Sequence, residues 1–293
     1  MSPLGKVSRG YGDDGCSSAS CDDGDLGAAV DSDLSENTQI YDFVEFFAGK
    51  GGTAAAINKS GNKVVCALEA FPQEGVYRIE QDLDLPQVRT VWLKRAQDHQ
   101  IRTCHFGIVC TTWGALHMLF NGGTRSRDRP LGDGSMPKEV AANHSVSWMC
   151  DMLVALHAAG STFTIENPAR SILFYHPRVA QLVRTLGLVY VYFDQCEYGL
   201  HSPKGSDPVE IWKKPTYILT NSDLFNVLER KCKHGHEHTW IKGQIKVEGK
   251  YFTRSKLAGA YPSALCRKLA NVLALILDAT RSGGRRRIRH RRY

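Results

Sequence analysis

One stretch, residues 41–70 (YDFVEFFAGKGGTAAAINKSGNKVVCALEA), constrains the fold of this chain more than any other. Residues 42–47 form a short, apolar, aromatic-rich run, the pattern of a parallel strand buried on both faces. Gly49, Gly51 and Gly52 break that run. Small residues from 53 to 58 then open a helix, and Ser60-Gly61 supplies its stop signal. Residues 64–68 read as a second buried strand with Glu69 at its carboxyl end. Strand, glycine turn, helix and strand make a βαβ unit. Its glycines let the backbone pass close to a ligand, and the helix start offers unpaired N–H groups. An acid at the tip of the second strand, 17 residues after Gly52, is placed to accept hydrogen bonds from a ribose diol. The combination predicts a nucleoside-cofactor site, although a glycine turn by itself also serves strand–helix packing. Its F-x-G-x-G-G spacing differs from the G-x-G-x-x-G of dinucleotide sites and argues against NAD.

Two later strand ends carry chemistry. Residues 105–110 (HFGIVC) are a short apolar run that predicts a strand ending in Cys110, followed by Thr111-Thr112-Trp113-Gly114. Residues 161–165 predict another, ending in Glu166-Asn167-Pro168. In open α/β sheets the carboxyl ends of the strands are where substrates sit. A cysteine there is a candidate nucleophile or a plain core residue.

Taken with the first turn, these motifs resemble the cytosine-5 DNA methyltransferases. Phe47-Ala48-Gly49-Lys50-Gly51-Gly52 looks like that family's opening F-x-G-x-G-G, Cys110 stands at its Pro-Cys motif, and Glu166-Asn167 at its Glu-Asn-Val motif. Val109, Thr111 and Pro168 depart from the family pattern, and the Tyr198-Gly199 and Lys213-Lys214-Pro215-Thr216 stretch is closer to divergent phage and mobile-element forms. The resemblance implies a Rossmann-like α/β fold with a seven-stranded, mostly parallel sheet and helices on both faces. It implies S-adenosylmethionine as cofactor, held by Phe47, Gly49, Gly51, Gly52 and Glu69, with Asp82 at the adenine. It also implies methylation of cytosine carbon 5 in DNA, with Cys110 as nucleophile, Glu166 on ring nitrogen 3 and the exocyclic amine, and Asn167 fixing the local backbone. Alternatives are methylation of RNA or of another base without a covalent step, methylation of a protein or small molecule, and a non-catalytic nucleic-acid-binding module.

Charge supports a polyanionic partner. The net charge of +7 is uneven. Residues 1–39 set Lys6 and Arg9 against eight acids, a net of −6, whereas 281–293 hold seven arginines, including Arg285, Arg286 and Arg287. The body between is left at +6. Arg125 and Arg127, in a Gly- and Arg-rich loop over 114–137, and Lys213 and Lys214 are candidate phosphate contacts. The expected organisation is a disordered acidic segment 1–38, a methyltransferase domain 39–279 with a small insert at 221–256 facing the target, and a basic tail 280–293. No run of 18 apolar residues predicts a membrane span. Nine cysteines without a disulfide-type framework predict an intracellular chain, nuclear in a eukaryote. Cys232, His234, His236 and His238 are metal-ligand types, but all lie in one short segment. Zinc sites usually draw on two elements, so no metal is expected there.

Overall fold

The first strand, β1 (Tyr41–Phe46), is buried at every position after Tyr41. A strand covered on both faces requires layers on both sides of its sheet, and the chain builds them. The computed structural model describes residues 38–70 and 76–289, with side chains as far as 280. The chain divides into two units, Met1–Thr38 and Gln39–Tyr293. Apart from Thr38, the acidic segment expected to be disordered lies outside the described residues. The elements below all belong to the second unit.

After β1 come α1 (Gly52–Asn58), β2 (Val65–Leu68), α2 (Pro86–Gln97) and β3 (Ile101–Phe106). They are followed by α3 (Ala115–Phe120), α4 (Pro137–Ala158), β4 (Thr162–Pro168), α5 (Pro177–Thr185), β5 (Val189–Asp194) and β6 (Pro215–Thr220). The strands form one sheet in the order β2-β1-β3-β4-β6-β5. β2, β1, β3 and β4 pair in parallel, and β6 runs antiparallel between β4 and β5. The sheet has six strands among the described residues, where seven were expected. Beyond β2 the described chain resumes at Val76 and enters a short 3-10 segment, Ile79–Gln81, with Val76, Tyr77 and Ile79 exposed. Among the described residues no strand there pairs with the outer edge of β2.

Helices cover both faces. On one, Trp92 of α2 and Trp148 of α4 pack edge-on against Phe46 at 5.4 and 5.6 Å, and Phe46 stacks on Phe106 at 4.7 Å. On the other, Ile57 of α1 and Leu269 and Leu273 of α7 (Ser263–Arg289) cover Phe43, Phe193 and Ile218. The α7 helix runs ten residues past 279, where the domain was expected to give way to the basic tail. A hairpin, β7 (Gln244–Val247) with β8 (Lys250–Thr253), and the single-turn α6 (Arg254–Leu257) make up much of the insert. They pack around Trp212 and are locked by Arg254, which donates to both carboxylate oxygens of Glu210 at 2.7 and 2.5 Å.

Chain direction sets the functional end. From β1 the chain moves outward to β2, then crosses back to β3 on the other side of β1. That reversal opens a crevice beyond the carboxyl ends of β1 and β3, where α/β sheets bind ligands.

Candidate active site

The backbone leaves β1 through three left-handed residues, Phe47, Gly49 and Gly51, with φ of 56°, 55° and 60°. Ala48 N–H donates to Leu68 O and Gly51 N–H to Ala48 O, which fastens the turn against β2. At Gly49 an added Cβ would meet nothing within 4 Å, so the glycine serves its φ and leaves bare backbone facing open space. At Gly52 a Cβ would lie 2.9 Å from Cys266 Sγ. That glycine therefore lets α7 close on α1 as well as lining the site. Glu69, at the end of β2, accepts from Gly49 N–H at 2.8 Å, which holds its carboxylate over the turn. Asp82 accepts from Tyr77 Oη at 2.6 Å and from the Asp84 amide at 2.9 Å. Gly49, Gly52, Phe47, Glu69 and Asp82 line one cavity. A nucleoside-type group fits this donor and acceptor set, in which the Glu69 carboxylate is fastened to the Cβ-free backbone of the turn and Asp82 is anchored beyond it.

Sequence reasoning passed over Glu45, which lines the same cavity from β1 and is 1% exposed. Its Oε2 accepts the Ala54 amide at 2.8 Å. Burial pushes its carboxyl from 4.5 up to about 7, against the opposing pull of that amide. A second acid after Asp42 in a short strand buried on both faces was the available signal.

The second half of the cavity comes from β3, β4 and two distant segments. β3 ends at Phe106, earlier than expected, and residues 107–110 form a loop beyond it. The loop is pinned from both sides. Gly107 N–H donates to Phe46 O at 3.0 Å, and a Cβ on Gly107 would sit 3.0 Å from Phe47 O. Asn167 Nδ2 donates to Ile108 O at 2.9 Å, tying the end of β4 to the segment that carries Cys110. The Cys110 side chain is open to the cavity. The surrounding protein raises its thiol pKa by desolvation, Lys214 draws it down and Glu166 pushes it up.

Glu166 is buried and held by three groups. Tyr261 Oη donates to Oε2 at 3.1 Å, Gln195 Nε2 to Oε1 at 3.4 Å, and Lys214 Nζ lies 3.6 Å from Oε1. Behind Tyr261, His105 Nε2 lies 3.0 Å from the phenol oxygen and Nδ1 is 2.8 Å from Thr164 Oγ1. Burial lowers His105 to about 4, so its ring is neutral near pH 7. Gln195, Lys214, Tyr261 and His105 were not assigned to this site from sequence, since three lie outside the cysteine and glutamate segments and His105 stands at the far end of the HFGIVC run. The whole cavity has a volume of about 1360 Å³, more than the usual 300–1,000 Å³ of a single small-ligand site.

Several expected contacts are placed otherwise. Arg125 does not present its charge to a phosphate. It is buried, donates to Pro130 O, Asn143 Oδ1 and Glu139 O, and lies over the Trp113 ring at 3.6 Å. Nor is the 114–137 segment simply a solvated loop, because it contains α3 and is anchored to the buried Glu139 by His117 and Thr124. Arg127 is exposed beside Tyr175. Lys214 points at Glu166 inside the cavity, and Lys213 lies between Asp194 at 3.8 Å and His234 at 3.4 Å. Neither lysine projects from a free strand edge. The side chains of Arg285, Arg286 and Arg287 lie outside the described ones.

The reason given for expecting no metal also fails. Cys196, just after β5, meets Cys232, His236 and His238, and His234 is not in the group. Compared with models of known protein families and with curated proteins, the sequence matches none.

Proposed function

We propose that this chain is an S-adenosylmethionine-dependent methyltransferase acting on nucleic acid, and that it methylates carbon 5 of cytosine in DNA through a cysteine adduct. One observation carries the reading. A single cavity at the reversal point of the sheet joins the Gly49–Glu69 turn to Cys110 and Glu166. Its volume leaves room for a cofactor at one end and a base at the other.

The cofactor, when bound, supplies an electrophilic methyl group. The residues of the chain do the rest. Glu69 and the bare backbone at Gly49 orient the ribose and amino-acid ends. A base extruded from the helix would enter beside Glu166, which meets ring nitrogen 3 and the exocyclic amine. Cys110, as thiolate, forms a bond to carbon 6, and the displaced electron pair moves toward carbon 5 and nitrogen 3. The proton released when the Cys110 thiol ionises passes to Glu166, and with the Lys214 ammonium it offsets the negative charge that develops on the ring. After carbon 5 is methylated, its proton passes to water admitted to the cavity and the sulfur–carbon bond breaks, which restores the thiolate. Asn167 positions the Cys110 loop through Ile108 and is not itself a chemical participant. The Cys110 loop leads directly into α3, whose Leu119 and Phe120 are each 72% exposed. Apolar side chains of this kind serve as wedges when proteins part stacked bases.

Calorimetry should show saturable binding of S-adenosylmethionine, weakened at least tenfold by Glu69→Ala. DNA carrying 5-fluorocytosine should trap a covalent adduct, because fluorine at carbon 5 blocks the final elimination, and Cys110→Ser should give none. Absence of binding to the cofactor and to its demethylated product would overturn the methyltransferase reading. Methylation of an exocyclic amine without an adduct would replace the cysteine mechanism alone.

A further inference from the structure

We propose that Cys196, Cys232, His236 and His238 bind one structural zinc ion. The inference is independent of the methyltransferase reading. Two segments 36 residues apart in sequence supply the ligands. Cys196 lies on the 3-10 turn Gln195–Tyr198 that follows β5. Residues 230–232 run beside the same strand end: Asp194 N–H donates to Arg230 O, Arg230 N–H donates to Tyr192 O, and Cys232 N–H donates to Asp194 Oδ2 at 2.8 Å. The strand end thus sets the two cysteines side by side. At His234 the backbone turns through the left-handed region, φ 57°, and the returning chain brings His236 and His238 onto the cysteines.

The spacing matches a tetrahedron around zinc. All four ligand atoms lie within 4.8 Å of one another. Cys232 Sγ is 3.6 Å from His236 Nε2 and 3.5 Å from His238 Nε2, and Cys196 Sγ is 3.4 Å from His238 Nε2. Zinc bonds of about 2.3 Å to sulfur and about 2.0 to 2.1 Å to nitrogen imply a sulfur–nitrogen edge of roughly 3.5 Å. Two thiolates and two imidazoles suit zinc in softness and geometry. Four protein ligands fill the tetrahedron and leave no position for water or substrate, which makes the site structural. Both cysteines are buried and both histidines half-buried. His234 N–H points at Cys232 Sγ from 3.3 Å, an amide contact that supports a sulfur carrying negative charge. The His234 side chain faces Lys213 instead.

The position gives the ion a task. Gln195, next to Cys196, donates to Glu166 and Thr216. A metal on Cys196 would clamp the 3-10 turn and hold Gln195 against Glu166, while anchoring residues 230–239 at the edge strand.

The full chain, purified without chelator, should carry about one zinc by elemental analysis. Cys196→Ser and His238→Ala should each lose it, whereas His234→Ala should keep it. Because the ligand variants can fail to fold, the wild-type protein exchanged into cobalt(II) supplies a second reading. It should show the intense visible bands of tetrahedral cobalt and a sulfur-to-metal charge-transfer band. Wild-type protein that holds no zinc after reconstitution, octahedral-type weak cobalt spectra, or stoichiometric zinc retained in Cys196→Ser would each overturn the proposal.

Discussion

Desolvation by the cavity walls lifts the Cys110 thiol, Lys214 opposes that lift and Glu166 adds to it. The unliganded protein therefore keeps most of this cysteine protonated at neutral pH, and the two neighbours set how far. Alkylation of Cys110 by iodoacetamide, followed by peptide mass spectrometry, reads the thiolate fraction. Lys214→Gln should slow alkylation at pH 7.5 by about three- to tenfold, and Glu166→Gln should speed it by a similar factor, as expected for single charges a few ångströms away. Equal rates in all three proteins would place the thiol outside both fields. Glu45 makes a different prediction. Its carboxyl rises from 4.5 to about 7 on folding, so folding favours the protonated form. Its contribution is complete below about pH 4.5 and is lost as pH rises to about 7, at about 1.4 kcal/mol per pKa unit, or roughly 3 kcal/mol in all. Glu45→Gln keeps an acceptor for Ala54 N–H and carries no charge. Its melting temperature should gain on wild type steadily from pH 5 to pH 7.5, and a constant difference over that range would show that Glu45 does not titrate there. Glu69, Cys110 and Glu166 were legible because each closes an apolar run in the sequence, although Cys110 lies in a loop beyond β3 and Glu166 inside β4. Lys214, Tyr261 and Gln195 were not, because they reach Glu166 from segments 29 to 95 residues away in sequence, and only the folded sheet brings them together. Arg125 was misread for the converse reason. Its loop composition suggested solvent, while Trp113 and the acceptors around it bury the guanidinium.

At the scale of elements, the contact between α1 and α7 rests on Gly52. A Cβ there meets Cys266 Sγ at 2.9 Å, and neither helix can shift freely, since Ile57, Leu269 and Leu273 are packed in the core beneath. Gly52→Ala should cost about 1–3 kcal/mol in urea unfolding, in the range of overpacked cores. Adding Cys266→Ala should recover most of it, with a coupling energy measurable in a double-mutant cycle. Additive losses would mean that the glycine is required by its backbone or by a ligand rather than by α7. The βαβ unit at residues 41–70 was readable because strand, turn and helix signals follow one another without interruption. Other boundaries were not. Apolar character persists beyond Phe106, so the HFGIVC run looked like a strand, although its last four residues are a loop held by Gly107 and Asn167. The Cys232–His238 segment looked unfit for a metal because the fourth ligand, Cys196, belongs to another element, and no local pattern announces that pairing.

Across the whole molecule, charge is distributed by segment. The body and the C-terminal stretch carry the positive charge, with seven arginines in 281–293, against a net of −6 in residues 1–39. The backbone of α7 continues through Arg289, so most of those arginines extend a helix whose earlier part covers the sheet. Among the described residues no helix is long and apolar enough to cross a membrane, and a polyanion is the partner that this charge suits. Each arginine that meets a phosphate releases a counterion, so the logarithm of affinity falls with the logarithm of salt by about 0.9 per contact on duplex DNA. Deletion of 281–293 should therefore weaken binding to duplexes of any sequence and reduce the salt slope by up to about six, as measured by fluorescence anisotropy across a salt titration. The deletion leaves the described side chains of α7 in place, so the melting temperature should change little and cofactor binding should be retained. A truncated chain with unchanged affinity and slope would exclude the arginines from the proposed nucleic-acid contact and leave that proposal to the body, where Arg127 is the exposed candidate nearest in sequence to the Cys110 loop.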